Sequence, residues 1–262
     1  MKKKEIKSTI NSWTRRELYD IIVDVFLELI ERCFMLQKAI AIDGPSGAGK
    51  STIARLVAKQ LGFRYIDTGA MYRACTLRVL RENLDVNDEA AVSAVADKID
   101  VRLEDENGLP FIFMDGENVS DAIRDTDVTA NVSAVCRYPA VREAMVLLQR
   151  KMADEGGVVM DGRDIGTYVL KDAALKVFLT ADVRERGHRR FLEWQAKGIG
   201  QDMTEEDVIN DLIRRDEMDS TRELNPLRQA EDAILLDSTF LTIEEVSEKI
   251  IELWKERSAD VL

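Results

Sequence analysis

Hydrophobic residues run unbroken through Ala39-Ile40-Ala41-Ile42, the pattern of a short strand buried on both faces of a parallel sheet. Thr52–Leu61 reads as the helix that follows, with Gly62 placed to end it. Further short apolar runs at Phe63–Asp67, Gly157–Asp161, Ala174–Leu179 and Ala233–Leu236 predict more strands. Between them, Tyr138–Glu155, Thr180–Lys197 and Thr204–Arg215 read as helices, the second ending near Gly198 and the third with Thr204 as N-cap. Thr242-Ile243-Glu244-Glu245 is a capping box that opens a final helix. Alternating strands and helices predict an α/β chain: a parallel sheet with helices on both faces.

Two stretches depart from this alternation. From Leu84 to about Thr129 the pattern gives a short helix over Ala90–Ile99 and short strands over Asp100–Glu104, Pro110–Met114 and Glu117–Val119. Glu106-Asn107-Gly108 and Asp115-Gly116 supply turns, the latter a two-residue hairpin signal. A small antiparallel sheet inserted into the core is the expectation. Residues 1–34 form the other departure. Leu18, Ile21, Ile22, Val25, Phe26, Leu29, Ile30 and Cys33 recur at helical spacing, so an amphipathic helix is expected, docked on the core or on a partner. Asp24 and Glu28 interrupt its apolar run, so it does not span a bilayer. Seven Lys/Arg stand against six Asp/Glu in this stretch, a poor match to an anionic membrane surface. Alternatively, Met35 opens the functional chain, and residues 35–262 are its catalytic domain.

With 262 residues the chain is long enough for one α/β domain carrying insertions. Its net charge of −12 argues against nucleic-acid or membrane partners, which ask for a basic face, but leaves room for a local cluster of arginines. The three cysteines, Cys33, Cys75 and Cys136, show no C-x-x-C spacing, so neither a disulfide framework nor a zinc site is suggested, and a reducing cytoplasm suits them. The one histidine, His188, lies in the arginine-rich Arg184–Arg190 and reads as a helix-surface residue. No feature asks for more than a monomer.

The chemistry begins at Gly44-Pro45-Ser46-Gly47-Ala48-Gly49-Lys50-Ser51, which fits G-x-x-x-x-G-K-[ST] between a strand and a helix. Glycines let successive amides turn inward around a phosphate, and the helix N-terminus adds partial positive charge. These eight residues and Thr52 are therefore expected to bind ATP, with Lys50 reaching the β- and γ-phosphates and Ser51 ligating Mg²⁺ directly. Asp161 ends a strand expected beside the loop strand, where P-loop proteins place an acid near the metal, here through water. Asp43 either shares that role or caps the backbone. Transfer between two anions must overcome their repulsion, which demands several cations at one place. Lys50, Arg73, Arg163, Arg215 and Arg222 each lie in or beside a motif, whereas Arg55 and Arg78 read as solvated helix faces.

Three further motifs decide the substrate. Asp67-Thr68-Gly69-Ala70-Met71-Tyr72-Arg73, Asp161-Gly162-Arg163-Asp164-Ile165-Gly166-Thr167 and Arg215-Asp216-Glu217-Met218-Asp219-Ser220-Thr221-Arg222 occur in this order. With the phosphate loop they resemble the bacterial cytidylate kinases, collinearly from about Lys38 to about Lys255. The resemblance implies ATP-dependent phosphorylation of CMP and dCMP, with the inserted sheet (about 84–129) as part of the nucleoside-monophosphate domain and a helical lid at about 190–225. It implies that Thr68 and Arg73 hold the acceptor phosphate with Arg163 and Arg222. Arg215 and Asp219 match positions contacting the pentose, and Ser133, Arg142 and Asp164 fall where the base is read. Lys50, Arg163, Arg215 and Arg222 are the implied catalytic cations. Arg189 and Arg190 open the segment that covers the donor in that family, with Arg190 assigned to ATP; a plain basic helix face is the other reading. Met218 departs from relatives that carry another lid arginine there. Two other readings are a different small-substrate P-loop kinase, such as a shikimate kinase, and a GTP-hydrolysing switch. The inserted hairpin and D-G-R-D-I-G-T disfavour the first, and the absence of N-K-x-D disfavours the second.

Overall fold

The computed structural model describes residues 38–106, 109–198, 200 and 202–259. The amphipathic helix expected within residues 1–34, including Cys33, lies outside the described residues. Five parallel strands form the main sheet: β1 (Ala39–Asp43), β2 (Arg64–Asp67), β6 (Val158–Gly162), β7 (Leu175–Thr180) and β8 (Ile234–Asp237), in the order β2-β6-β1-β7-β8. All five β1 residues are buried, which explains its unbroken apolar run: helices cover both of its faces. Successive side chains leave on opposite sides. Ile40 and Ile42 enter a core with α1 (Lys50–Leu61) and α8 (Ile243–Ala259). Ala39 and Ala41 enter a larger core with α2 (Thr68–Arg81) and α5 (Pro139–Ala153).

The inserted sheet is present as three antiparallel strands, β3 (Val101–Glu106), β4 (Leu109–Met114) and β5 (Glu117–Asn118). Asp115 and Gly116 turn between the last two with φ of 52° and 86°, the left-handed pair a two-residue hairpin requires. A short α3 (Glu89–Ala96) precedes it. Two further helices, α6 (Val183–Ala196) and α7 (Glu205–Thr221), form a pair beside the phosphate loop.

Several element limits differ from the sequence reading, each for a local reason. The helix expected from Thr180 starts at Val183 because Asp182 caps it, accepting from the Arg184 amide at 2.8 Å. The helix expected from Tyr138 starts at Pro139, whose fixed φ suits a first helical position. The helix expected to stop at Arg215 continues to Thr221, held by the buried Val208, Leu212 and Asp219 along one face. The sequence reading puts Arg78 on a helix face but gives that helix no limits; it is α2, and it starts at Thr68 inside the D-T-G-A-M-Y-R motif. The helix α4 (Thr126–Val135) is not part of that reading. The capping boxes are formed. Glu245 accepts from the Thr242 amide at 2.8 Å, and Thr204 and Asp207 cap α7 reciprocally. No described helix is long and apolar enough to cross a membrane.

Candidate active site

The phosphate loop connects the C-terminal end of β1 to α1. A side chain on Gly44 would lie 1.9 Å from the Leu179 carbonyl oxygen, so β7 closes the loop from behind. Gly47 and Gly49 take φ of 77° and 85°, a left-handed backbone that glycine adopts without strain. Lys50 is buried and its Nζ donates to the Pro45 carbonyl at 2.7 Å. Burial pulls its pKa down to about 7, helped by Arg163 and opposed by Asp161, Asp43 and Asp216. Ser46, Gly47, Gly49, Lys50, Ser51 and Thr52 face a large cleft. Gly44, Pro45 and Ala48 lie behind that wall and shape it; Ala48 belongs to the core.

The register that pairs Ile42 with Asp161 sets β6 beside β1 and brings the strand-end acid to the loop, as the sequence predicts. Ser51 Oγ donates to Asp161 Oδ2 at 2.8 Å, and the Tyr65 hydroxyl donates to Asp161 Oδ1 at 2.9 Å. Burial, followed by the charge of Asp67, raises the Asp161 pKa to about 6, while Lys50, Ser51 and Tyr65 oppose the shift. A hydroxyl and a carboxylate oxygen meeting at the mouth of the loop form a hard-oxygen donor pair suited to Mg²⁺. Asp43 is not part of it. Its two oxygens accept the amides of Ile165 and Gly166 at 2.8 and 2.7 Å, so the backbone-capping alternative is the one the geometry takes.

Across the cleft, Asp67 caps α2 by accepting from the Ala70 amide at 2.7 Å. It also pairs with Arg73 at 3.3 Å, and Arg73 Nε is buried without a hydrogen-bond partner. Thr68 Oγ donates to the Asp161 carbonyl at 2.6 Å, which leaves its lone pairs available. From here an alternating chain of charges runs along the wall through Asp164, Arg222, Asp219 and Arg163, with Arg142 buried behind Asp164 and not itself lining the cleft. Arg142 Nη2 meets Asp164 Oδ2 at 2.5 Å, with both side chains almost fully buried. Arg222 lies 3.4 Å from the other oxygen of Asp164, and Arg163 Nε donates to Asp219 at 2.8 Å. Ser133 lies on the same wall, facing the cleft from α4.

The helical pair supplies the remaining cations. Arg190 and Arg215 both line the cleft, and the Nη1 atom of each is buried without a hydrogen-bond partner. Burial lowers both: Arg215 falls to about 10, with Arg190 and Arg163 adding to the desolvation and Asp211 and Asp219 opposing it, and Arg190 falls with Arg73 and Arg163 as cationic neighbours, opposed by Glu193 and Asp211. Arg189 differs. It pairs with Glu185 at 2.8 Å and donates to the carbonyls of Ser238 and Thr239 at 2.9 and 3.2 Å, stapling α6 to the loop after β8. His188 is half exposed beside Glu205, a surface position. The cleft measures ≈ 1480 Å³, more than the roughly 300–1,000 Å³ of a pocket for one small ligand.

Three residues at the site have no role assigned from the sequence: Arg186 and Trp194 lie outside its motifs, and Asp216 belongs to the third motif without a function attached to it. Arg186 and Asp216 bond to the Ser46 backbone of the loop, and the Arg190 guanidinium stacks 5.8 Å from the centre of the Trp194 ring. Arg186 was hidden inside an arginine-rich helix that reads as a solvated face. Asp216 stood within a motif whose other members drew the attention.

The family model described as "Cytidylate kinase" matches residues 40–256. Three curated proteins of that printed name are close relatives. The Lactobacillus gasseri protein is 50% identical over 220 residues, covering 84% of this chain and 94% of its own. The Caldicellulosiruptor saccharolyticus protein is 51% identical, covering 82% of this chain and 94% of its own. The Shouchella clausii protein is 49% identical, covering 84% and 96%.

Proposed function

The chain belongs to the cytidylate kinase family, and from that premise we propose that it transfers the γ-phosphoryl group of ATP directly to CMP and dCMP. One observation supports the reading best: Arg73, Arg163, Arg190, Arg215 and Arg222 converge on the cleft that the phosphate loop lines, with Arg190 Nη1 and Arg215 Nη1 buried there without hydrogen-bond partners. Cations and unfilled donors gathered in this way suit a ligand of high negative charge. Two nucleotides meeting end to end bring that charge, and the cleft has the volume for both.

On the donor side, the loop amides and Lys50 hold the β- and γ-phosphates, and Arg190 lies beside the donor half. Ser51 would ligate Mg²⁺ directly, and Asp161 would act on the ion through water; their hydrogen bond at the mouth of the loop supports this pairing. When bound, Mg²⁺ neutralises charge on the transferring phosphates. On the acceptor side, Arg73, Arg163 and Arg222 take the monophosphate with Thr68, and Arg215 and Asp219 take the pentose. Arg215 and Arg163 also face the midpoint where charge builds up during transfer. The buried Arg142–Asp164 pair reads the base. A carboxylate accepts from the cytosine amino group, and a guanidinium or the Ser133 hydroxyl donates to the ring nitrogen and carbonyl. Uracil turns a carbonyl toward Asp164 instead, leaving buried acceptors face to face, which a polar site rejects strongly. Cleft closure by the α6–α7 lid excludes water from the moving group.

The test is release of ADP across CMP, dCMP, UMP, AMP and shikimate. CMP and dCMP are expected to support rapid ADP release, with UMP well behind and AMP and shikimate inactive. Hydrolysis at the same rate without any acceptor would support a switch protein and overturn this reading. Tyr65→Phe probes the metal side. Removing the hydroxyl that orients Asp161 should raise the Mg²⁺ concentration for half-maximal velocity by about tenfold, the lower end of the usual effect of a supporting ligand contact. An unchanged magnesium dependence would show that Asp161 is held without it.

A further inference from the structure

An ion pair from the two lid helices grips both backbone polar groups of one phosphate-loop residue, Ser46. The Ser46 amide donates to Asp216 Oδ1 at 2.9 Å, and the Ser46 carbonyl accepts from Arg186 Nη1 at 2.6 Å. The same Nη1 donates to Asp216 Oδ2 at 2.6 Å, and Arg186 Nε donates to the Ala181 carbonyl at 3.0 Å. Arg186 is 6% exposed, so its charge is spent inside this arrangement and is not offered to solvent.

Packing makes the grip rigid. A side chain on Gly187 would meet Ile209 Cγ1 at 2.3 Å, so α6 and α7 touch backbone to side chain there. A side chain on Gly47 would meet both Arg186 Cβ and Leu212 Cδ1 at 3.4 Å. The loop at Ser46–Gly47 is thus wedged between the roots of the two helices. Leu212 lies one turn before Asp216 on α7 and faces the same way. Arg215 precedes Asp216 and points about 100° away around the helix, into the cleft. With Asp216 seated on the loop, the direction of Arg215 is set. A rotation of α7 that withdraws Arg215 has to break the Asp216–Ser46 bond.

We propose that Arg186 and Asp216 are positioning residues, which fix Arg215 against the phosphate loop during transfer and so couple the shape of the loop to the placement of the lid arginine. The inference rests on the phosphoryl-transfer reading of the site. Neither residue touches a reacting atom; both act through Ser46 and Arg215.

Asp216→Asn and Arg186→Lys keep size and polarity but break the shared grip. At saturating ATP and CMP each should lower kcat by about a hundredfold, the usual effect of a catalytic group displaced by about an ångström, with little change in either KM. The double variant should lose little more than either single one, because one brace is broken once. A lower Tm with unchanged kcat would show a stabilising contact only and overturn the proposal. Losses that multiply in the double variant would overturn the shared brace. Arg186→Lys covers the case in which Asp216→Asn fails to fold. A second readout needs no turnover: exchange of the Ser46 amide with solvent should quicken in both variants, and unchanged exchange would overturn the grip itself. Failure of the parent chain to phosphorylate CMP would count against the substrate reading, and the amide exchange would still decide the brace.

Discussion

Lys50→Ala is expected to lower kcat by about 10²–10³, the loss seen when one charge-stabilising donor is removed from a transition state. The lysine is buried at the centre of the loop, its Nζ held 2.7 Å from the Pro45 carbonyl. The fold should survive. The Lys50 pKa in the folded chain is about 7, below its ordinary 10.5, so between these values the unfolded chain binds the proton more tightly. The charged lysine therefore costs stability, fully below about pH 7 and progressively less as the pH rises toward 10.5. Removing it removes that cost, and Lys50→Ala should melt no more than a few degrees from the parent at pH 7. Single-turnover transfer and a thermal melt check the two halves. A variant that keeps a tenth of the parent rate would exclude the role.

Asp164→Ala is expected to damage two properties at once, and they can be separated. Its carboxylate is the partner of the almost fully buried Arg142 and lies 3.4 Å from Arg222. Leaving Arg142 uncompensated should cost roughly 3–5 kcal/mol of stability, the usual result of breaking a buried ion pair on one side. CMP use should fall far more than ATP use, because the acceptor for the cytosine amino group goes with it. The double variant Asp164→Ala/Arg142→Met removes the stranded charge together with its partner. It should regain much of the stability, since a buried pair replaced by apolar groups is often neutral, while CMP use stays lost. Denaturant midpoints and Michaelis constants for both nucleotides make the measurement. Recovery of CMP use in the double variant would mean that Asp164 only supports the fold.

The parts of this molecule legible in the sequence are those fixed by neighbours in the chain. The β1–loop–α1 unit, the Asp115-Gly116 turn and the capping boxes at Thr204 and Thr242 are all local, each set by backbone conformation or by a side chain reaching three residues along. The placement of Asp161 was also legible, because a parallel sheet brings strand ends to one edge. What escaped depends on contacts far apart in sequence. Asp216 reaches Ser46 across 170 residues; its motif marks it, but nothing along α7 says which partner it holds. Asp43 left two readings open until the Ile165–Gly166 amides came into place above it. The helical character around Arg78 is legible, but the start of α2 at Thr68 is masked by a motif that is read for its phosphate chemistry and not for its helical spacing. Arg189 and Arg190 are adjacent, indistinguishable by type and both border the cleft, yet the Arg189 guanidinium is engaged by Glu185 and loop carbonyls while Arg190 Nη1 has no hydrogen-bond partner.

Asp43 has a further consequence. It closes the strand that launches the phosphate loop, and its two oxygens hold the turn that follows Arg163 and Asp164. One carboxylate thereby spans the floors under donor and acceptor, buried and independent of the α6–α7 pair. On the proposed assignment of donor and acceptor, the gap between the two phosphates is then gauged by the sheet edge and not by the α6–α7 pair, so a change in that pair should alter access to the cleft without altering the length of the transfer.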